Sequence, residues 1–305
     1  MTKIFGIGAT GLIGSKVSQL LKDNFEIDNL STETGFDIRN PQTVERIIGN
    51  DKYHSIVIQF AAKTDVDGCE LDKEIDGEML LKGEKEQENF FQNNATAWAI
   101  NVYGTKNVIE ACKKGNKKLI YISTDYVFDG KNPPERGYKE DDETSPEGWY
   151  GTTKLEGENL VRDSGLDYLI LRTSFPFRLD EFPGKKDFYH IFLDLLQKGD
   201  PFKVIADAKV TPTYIDDFSK ALETLIEKDA KGIFHVVGSQ SLTAYEAVQL
   251  MADKLGFNKD LIGKNYLEDF YKGRAPRPKF SVLNNSKISG LGVKMRRFDE
   301  IINSL

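Results

Sequence analysis

Cysteine, histidine and tryptophan are scarce in this chain, with two, three and two copies among 305 residues. Cys69 and Cys112 make at most one pair, too few for a disulfide framework, and that fits a reducing compartment. The histidines are scattered, so nothing has zinc-type spacing and no metal centre is expected. Long apolar runs are missing too. No stretch nears the roughly 18 residues of a membrane span, and no basic-then-apolar leader opens the chain. A cytoplasmic protein without a membrane partner is expected. There is also no excess of positive charge. The net charge of −7 disfavours nucleic acid as the main partner.

What is present suits a folded enzyme. Apolar residues make up 39% of the chain, with 19 Phe and 12 Tyr, enough for a sizeable core. The length fits one large α/β unit with a smaller lobe. The negative charge is concentrated. Residues 68–93 hold eight acids (Glu70, Asp72, Glu74, Asp76, Glu78, Glu84, Glu86 and Glu88) against three lysines. The rest of the chain is near neutral, so an anionic substrate stays possible.

Apolar strand-like runs occupy 3–8, 25–30, 55–62, 118–124, 167–174, 202–207 and 232–239. Helix-length amphipathic segments lie between them, at 12–23, 41–49, 95–115, 150–164, 187–199, 215–228 and 243–255. Several of the runs are continuously apolar, which means burial on both faces of a parallel sheet. The alternation predicts a doubly wound, Rossmann-type α/β fold. Residues 1–170 with a return at 206–238 are expected to form it. Residues 171–205 and 239–305 are expected to form a smaller α/β substrate lobe. Two stretches break the rhythm: the acidic 65–94 segment and 129–149, which has three Pro and three Gly and reads as a long loop.

"GATGLIG" places Gly8, Gly11 and Gly14 directly after the first strand and before a helix-compatible run. Gly8 permits a tight turn, Gly11 a close approach to a diphosphate, and Gly14 close packing of helix on strand. The following helix start offers N–H groups and partial positive charge to phosphate. An acid at the end of the second strand would bond the ribose 2′-hydroxyl of NAD. Asp28 is the candidate unless it lies inside the strand. Leu30, Ser31 and Thr32 supply neither a cation nor a clear acid, so NAD and NADP both stay open. Asp37 either reaches the adenine or is a turn aspartate ahead of Pro41.

Tyr150 and Lys154 in "YGTTK" are i,i+4 neighbours on a helix. Such a pair arises by chance about once in a chain of this composition, so alone it carries nothing. Its place does. It opens a helix after the long loop, downstream of a dinucleotide turn. A hydroxyl from Ser123 or Thr124 at the tip of the fourth strand would face the same space. In that arrangement Tyr150 donates a proton to a developing alkoxide. Lys154 lowers the phenol pKa and bonds the nicotinamide ribose, and Thr124 holds the carbonyl oxygen.

Taken together, "GATGLIG" (8–14), "QFAAKTDVD" (59–67), "STDYVFDG" (123–130), "SPEGWYGTTKLEGE" (145–158), "LRTS" (171–174), "VTPTYIDDFSKAL" (210–222) and "APRPKFSVLNNSKI" (275–288) resemble the extended short-chain dehydrogenase/reductases. Within them the chain resembles the dTDP-4-dehydrorhamnose reductases, nearly end to end. The resemblance implies Thr124, Tyr150 and Lys154 as the catalytic set. It implies cofactor contacts from Gly8, Thr10, Gly11, Leu12, Ile13, Asp37, Ile38, Phe60, Ala61, Ala62, Tyr150 and Lys154, with NADP(H) or NAD(H) as cofactor. It places Thr64, Asp125, Phe175 and Arg277 near the substrate, a dTDP-deoxyhexulose reduced at its 4-keto group. A homodimer is one implied assembly. Some members use an interfacial magnesium, whose ligands have no counterpart identified in this sequence.

The chain departs from the family in three places. Phe175 stands where Trp is usual, and Gln59 where Asn is common. The 68–93 segment is longer by about a helix and reads as a lid, an oligomer contact or, the reading we favour, a solvated excursion. Sugar-nucleotide dehydratases carry Glu where this chain has Tyr126. An epimerase–reductase would want a Cys shortly after the fourth strand, and neither cysteine sits there. A nucleotide-binding regulatory subunit of methionine adenosyltransferase remains as a non-catalytic alternative that turnover would exclude.

Overall fold

Six apolar segments pair in parallel: β1 (Thr2–Ile7), β2 (Phe25–Leu30), β3 (Ile56–Gln59), β4 (Lys118–Thr124), β5 (Tyr168–Thr173) and a sixth strand, Gly232–His235. The computed structural model describes all 305 residues. The strand order is β2-β1-β3-β4-β5 and then the sixth strand. Chain progression therefore reverses direction between β1 and β3, the point where an open α/β sheet forms its ligand crevice. Ile7 is opposite both Leu30 and Gln59, and Thr124 is opposite Thr173. The carboxyl ends of the strands thus form one rim.

Burial on both faces explains the continuous apolar runs. Ile120 and Ile122 of β4 enter one core, packed against Val17 of the helix Leu12–Leu21 and Phe218 of the helix Ile215–Glu227. Leu119 and Tyr121 enter the other, with Val108 of the helix Gly104–Gly115 and Val161 of the helix Trp149–Arg162. The predicted strand at 202–207 forms as Phe202–Ile205, but it pairs with Ile262–Asn265 outside the main sheet. A third core, with Phe177, Tyr189, Met251 and Phe298, surrounds that pair. No helix is long and apolar enough to cross a membrane.

The 129–149 loop is tied down by backbone bonds to the C-terminal segment. Tyr138 N–H donates to Val282 O at 2.8 Å, and Asn284 N–H donates to Tyr138 O at 2.8 Å. The acidic segment is not a solvated excursion. It forms two helices, Val66–Leu80 and Glu84–Asn93, and the first turns carboxylates inward. Asp76 is fully buried, and Asp72 accepts from Lys63 Nζ at 2.5 Å and Ala97 N–H at 2.7 Å.

Candidate active site

The loop after β1 has the form its glycines require. Gly8 sits at φ 76°, and a Cβ there would lie 2.9 Å from Ala61 N. A Cβ at Gly14 would lie 2.6 Å from Ala9 Cα, so helix and strand can approach this closely only without one. The helix Leu12–Leu21 starts at Gly11 with no side-chain cap and no acid in its first turn. Its first N–H groups, including those of Leu12 and Ile13, have no intrahelical acceptor. Thr10 and Gly11 are exposed, while the Ile13 side chain packs into the core. An uncapped helix start bounded by a glycine turn suits a diphosphate.

The adenosine side differs from the simplest expectation. Asp28 lies inside β2, opposite Phe5, and its Oδ2 is 2.9 Å from His54 Nε2. It is not the acid at the strand tip. Asp37 is gripped by Arg39, whose Nη2 donates to Oδ2 at 2.6 Å. Burial acts to raise the Asp37 pKa, but the Arg39 hydrogen bonds and charge outweigh it and hold the carboxyl below its ordinary value. Ile38 is buried under Gly104. Arg39 was overlooked in the sequence because it lies nine residues beyond the strand end.

From the end of β3, Phe60 and Ala61 both donate backbone N–H to Ile7 O at 2.9 Å, which brings Ala61 and Ala62 beside the glycine turn. Phe60 turns its ring into the core, and Thr64 is exposed. Asn101 holds this segment. Its Oδ1 accepts from Lys63 N–H at 2.8 Å, and its Nδ2 donates to Lys63 O at 3.1 Å and Thr153 Oγ1 at 3.0 Å. Asn101 sits in a π-helical turn, Ala99–Tyr103, a wide turn frequent at functional sites. An Asn inside the apolar run "AWAINVY" was the available sequence signal.

Thr124 ends β4, and Tyr150 lies in the first turn of the helix Trp149–Arg162, with its phenol near the Thr124 hydroxyl. Burial raises the phenol pKa well above its ordinary value, with only partial relief from Thr124. Tyr126 packs edge-on against Tyr150, with ring centroids 5.5 Å apart. Lys154 lies one helical turn on, but its ammonium turns inward. Nζ donates to the Tyr121 phenol at 2.7 Å and to Ile122 O at 2.8 Å. The expected lowering of the Tyr150 pKa by this lysine is thus not found in the resting arrangement, because β4 offers the ammonium two nearer acceptors. Burial brings Lys154 down to about 7, against the opposing pull of Glu158. Glu158 in turn forms a buried bidentate pair with Arg172, at 2.7 Å from Nη2 and 3.0 Å from Nε. Ser123 is buried with no partner for its hydroxyl.

On the substrate side, Asp125 is buried and faces other protein groups. Its carboxylate accepts from Ser174 Oγ at 2.8 Å, Ser281 Oγ at 2.6 Å and Thr124 Oγ1 at 3.1 Å, tying β4, the end of β5 and the C-terminal segment together. These three partners are all internal protein groups. Phe175 is exposed at the end of β5 and holds φ 42°, a region costly for a bulky side chain. Arg277 lies over the Tyr271 ring at 4.1 Å, and its Nη1 donates to Asp67 Oδ1 at 2.6 Å. Arg274 pairs with the same Asp67. The uncapped helix start after β1 and the Thr124 and Tyr150 hydroxyls thus follow strand ends on one rim of the sheet, and Arg274 and Arg277 share Asp67.

Known proteins resemble this chain over most of its length. A dTDP-4-dehydrorhamnose reductase from Mycobacterium tuberculosis is 28% identical over 282 residues, covering 91% of this chain and 83% of that protein. The methionine adenosyltransferase 2 subunit beta of Bos taurus is 28% identical over 301 residues, covering 95% and 82%. A crystal structure of dTDP-4-dehydrorhamnose reductase from Bacillus anthracis in complex with NADP superimposes with a TM-score of 0.84 at 26% identity, covering 100% of this chain and 98% of that one. The profile of the RmlD substrate binding domain matches residues 2–87 and 84–305, and the chain belongs to that family.

Proposed function

We propose that this protein reduces the 4-keto group of a nucleotide-linked deoxysugar with NADP(H) or NAD(H), and that dTDP-4-dehydrorhamnose, giving dTDP-rhamnose, is the substrate. The observation that carries this reading is the placement of Tyr150, at the start of its helix, against the Thr124–Tyr126 end of β4, on the same sheet rim as the glycine turn after β1. The cofactor, when bound, supplies a hydride. Residues 1–170 with 206–238 hold it. The backbone of Gly8, Thr10, Gly11, Leu12 and Ile13 takes the diphosphate, Asp37 and Ile38 flank the adenosine, and Phe60, Ala61 and Ala62 line the approach to the ring. Residues 171–205 and 239–305 shape the sugar end, where Thr64, Phe175 and Arg277 contact substrate and Asp125 fixes the wall behind Thr124.

Thr124 donates a hydrogen bond to the ketone oxygen and polarises it. Tyr150 gives its phenolic proton to that oxygen as the C4–H bond forms, so ketone, hydride and proton together make one alcohol. Burial raises the phenol pKa, which keeps Tyr150 protonated until the alkoxide develops. Lys154, as an ammonium, stabilises the resulting phenolate and returns a proton to it. To do so it must leave Tyr121 for the ribose and Tyr150.

The test is oxidation of NADPH and of NADH against dTDP- and UDP-linked 4-keto-6-deoxyhexoses. Tyr150→Phe should lower kcat by about 10²–10⁴-fold while cofactor binding persists, because it deletes a proton donor and no binding surface. If the wild-type protein binds cofactor yet oxidises none with any of these sugars, the enzyme reading fails. The likeness to the bovine methionine adenosyltransferase 2 subunit beta supports a second reading, a non-catalytic nucleotide-binding subunit, and absence of turnover would favour it.

A further inference from the structure

The helix that carries Tyr150 starts without a cap of its own. Its N-cap residue is Gly148, and no side chain within the helix satisfies the first N–H groups. An orphan donor at a half-buried helix start needs an outside acceptor. The acidic helix Val66–Leu80 supplies it. Glu70 Oε2 accepts the Trp149 backbone N–H at 2.8 Å, across 79 residues of sequence. Glu70 Oε1 accepts from Lys73 Nζ at 3.2 Å, which aims the other oxygen at the helix.

A second carboxylate from the same helix fixes the Trp149 side chain. Asp76 Oδ2 accepts the indole N–H at 2.8 Å and the Trp98 backbone N–H at 3.1 Å. The two indoles stack, with ring centroids 5.7 Å apart and planes 23° off parallel. The opposite side of the helix start is also fixed. A Cβ at Gly151 would lie 2.2 Å from Tyr126 O, so the helix abuts the tip of β4. Tyr150 lies between these two anchors, one residue from each. A rotation of the helix start would swing its phenol away from Thr124.

We infer that Glu70 is a positioning residue for Tyr150: it caps the catalytic helix from the neighbouring acidic helix and holds the phenol against Thr124. The inference rests on the reductase reading given above. It also assigns a task to the acidic segment that the sequence left open. The segment is part of the support for the proton donor, and its charge lies where a helix N-terminus favours an anion.

The chain has only two tryptophans, Trp98 and Trp149. Near-ultraviolet circular dichroism of the stacked indole pair therefore reports this helix start, without any turnover. Glu70→Ala and Glu70→Gln are compared with wild type by that spectrum, by steady-state NADPH oxidation and by thermal melting. Glu70→Ala should weaken the indole couplet and lower kcat between about tenfold and a hundredfold, the scale of a small misplacement of a reacting group, with KM for NADPH within about twofold. Glu70→Gln keeps an acceptor oxygen and should recover most of both losses. The inference is overturned if Glu70→Ala leaves couplet and kcat unchanged. It is equally overturned if Glu70→Gln is as impaired as Glu70→Ala, or if kcat and KM for NADPH worsen together. Were wild type to show no turnover, the reductase reading would fail separately, and the couplet in the two variants would still decide whether Glu70 sets the helix start.

Discussion

Lys154 donates to the Tyr121 phenol at 2.7 Å, so the cation proposed to serve Tyr150 rests on a different tyrosine, three residues before Thr124 on β4. The ammonium also lies 3.9 Å from the Tyr121 ring centroid. This resting place sets a pH dependence. Burial lowers the Lys154 pKa to about 7. The ammonium is therefore populated below that pH and lost above it. For reduction, kcat/KM should be level on the acid side of 7 and fall about tenfold per pH unit above it, since kcat/KM reports the free enzyme. Tyr121→Phe removes one acceptor of the ammonium and should move this limb to lower pH. Initial rates across the range would check both. A profile level to about pH 9 in wild type would sink the assignment.

Asp125 gives a stability prediction of opposite chemistry. Burial lifts its pKa to about 6, although Ser281, Ser174 and Thr124 hydrogen bonds pull it down. The folded pKa lies above the unfolded value of 3.8. The stabilising contribution is therefore full below pH 3.8 and is lost as pH rises through 6. Asp125→Asn keeps the shape and has no charge to bury. At pH 8 it should be more stable than wild type by about 2–3 kcal/mol, and the gap should close towards pH 4. Urea unfolding at the two pH values checks this, and an equal gap at both would refute it.

Much of this was legible in the order of short signals along the chain. β4 was readable because its run is apolar and its ends carry polar residues. Thr124 and Tyr150 were readable because a glycine turn, a strand tip and a helix start occur in that sequence. The acidic helix was not readable as support, because its bonds join residues far apart, as Glu70 to Trp149 and Asp67 to Arg277. Tyr121 looked like an ordinary strand residue, and only its depth below Lys154 makes it an acceptor. The hydroxyls around Asp125 were not readable either, because Ser174 and Ser281 come from segments far from it in the chain.

Phe175 should trade stability for binding. Its backbone at φ 42° is costly for a bulky residue and easy for glycine. Phe175→Gly relieves about 1 kcal/mol of strain and removes an exposed aromatic from the sugar end of the crevice. A rise in melting temperature together with a higher KM for the nucleotide sugar, and no change in KM for NADPH, is the expected result. A stabilised variant with unchanged sugar KM would remove Phe175 from the substrate site.

The buried pair Glu158–Arg172 begins one helical turn beyond Lys154. Both side chains are nearly inaccessible, and the pair is bidentate. His235 lies 3.4 Å from Arg172, and burial and that neighbouring cation keep it neutral, at about 3. Removing one partner leaves a buried charge with no counter-ion, at a cost of about 3–5 kcal/mol, whereas replacing both with apolar residues of similar volume is often close to neutral. Glu158→Met should therefore destabilise by that amount, and adding Arg172→Met should restore at least half of the loss. Glu158 also raises the Lys154 pKa. The double variant should thus fold well yet show its alkaline rate limb at lower pH than wild type, because Lys154 has lost the carboxylate one helical turn away. Chemical denaturation and the pH–rate profile read these two effects separately. A stable double variant with an unmoved limb would uncouple the ion pair from Lys154.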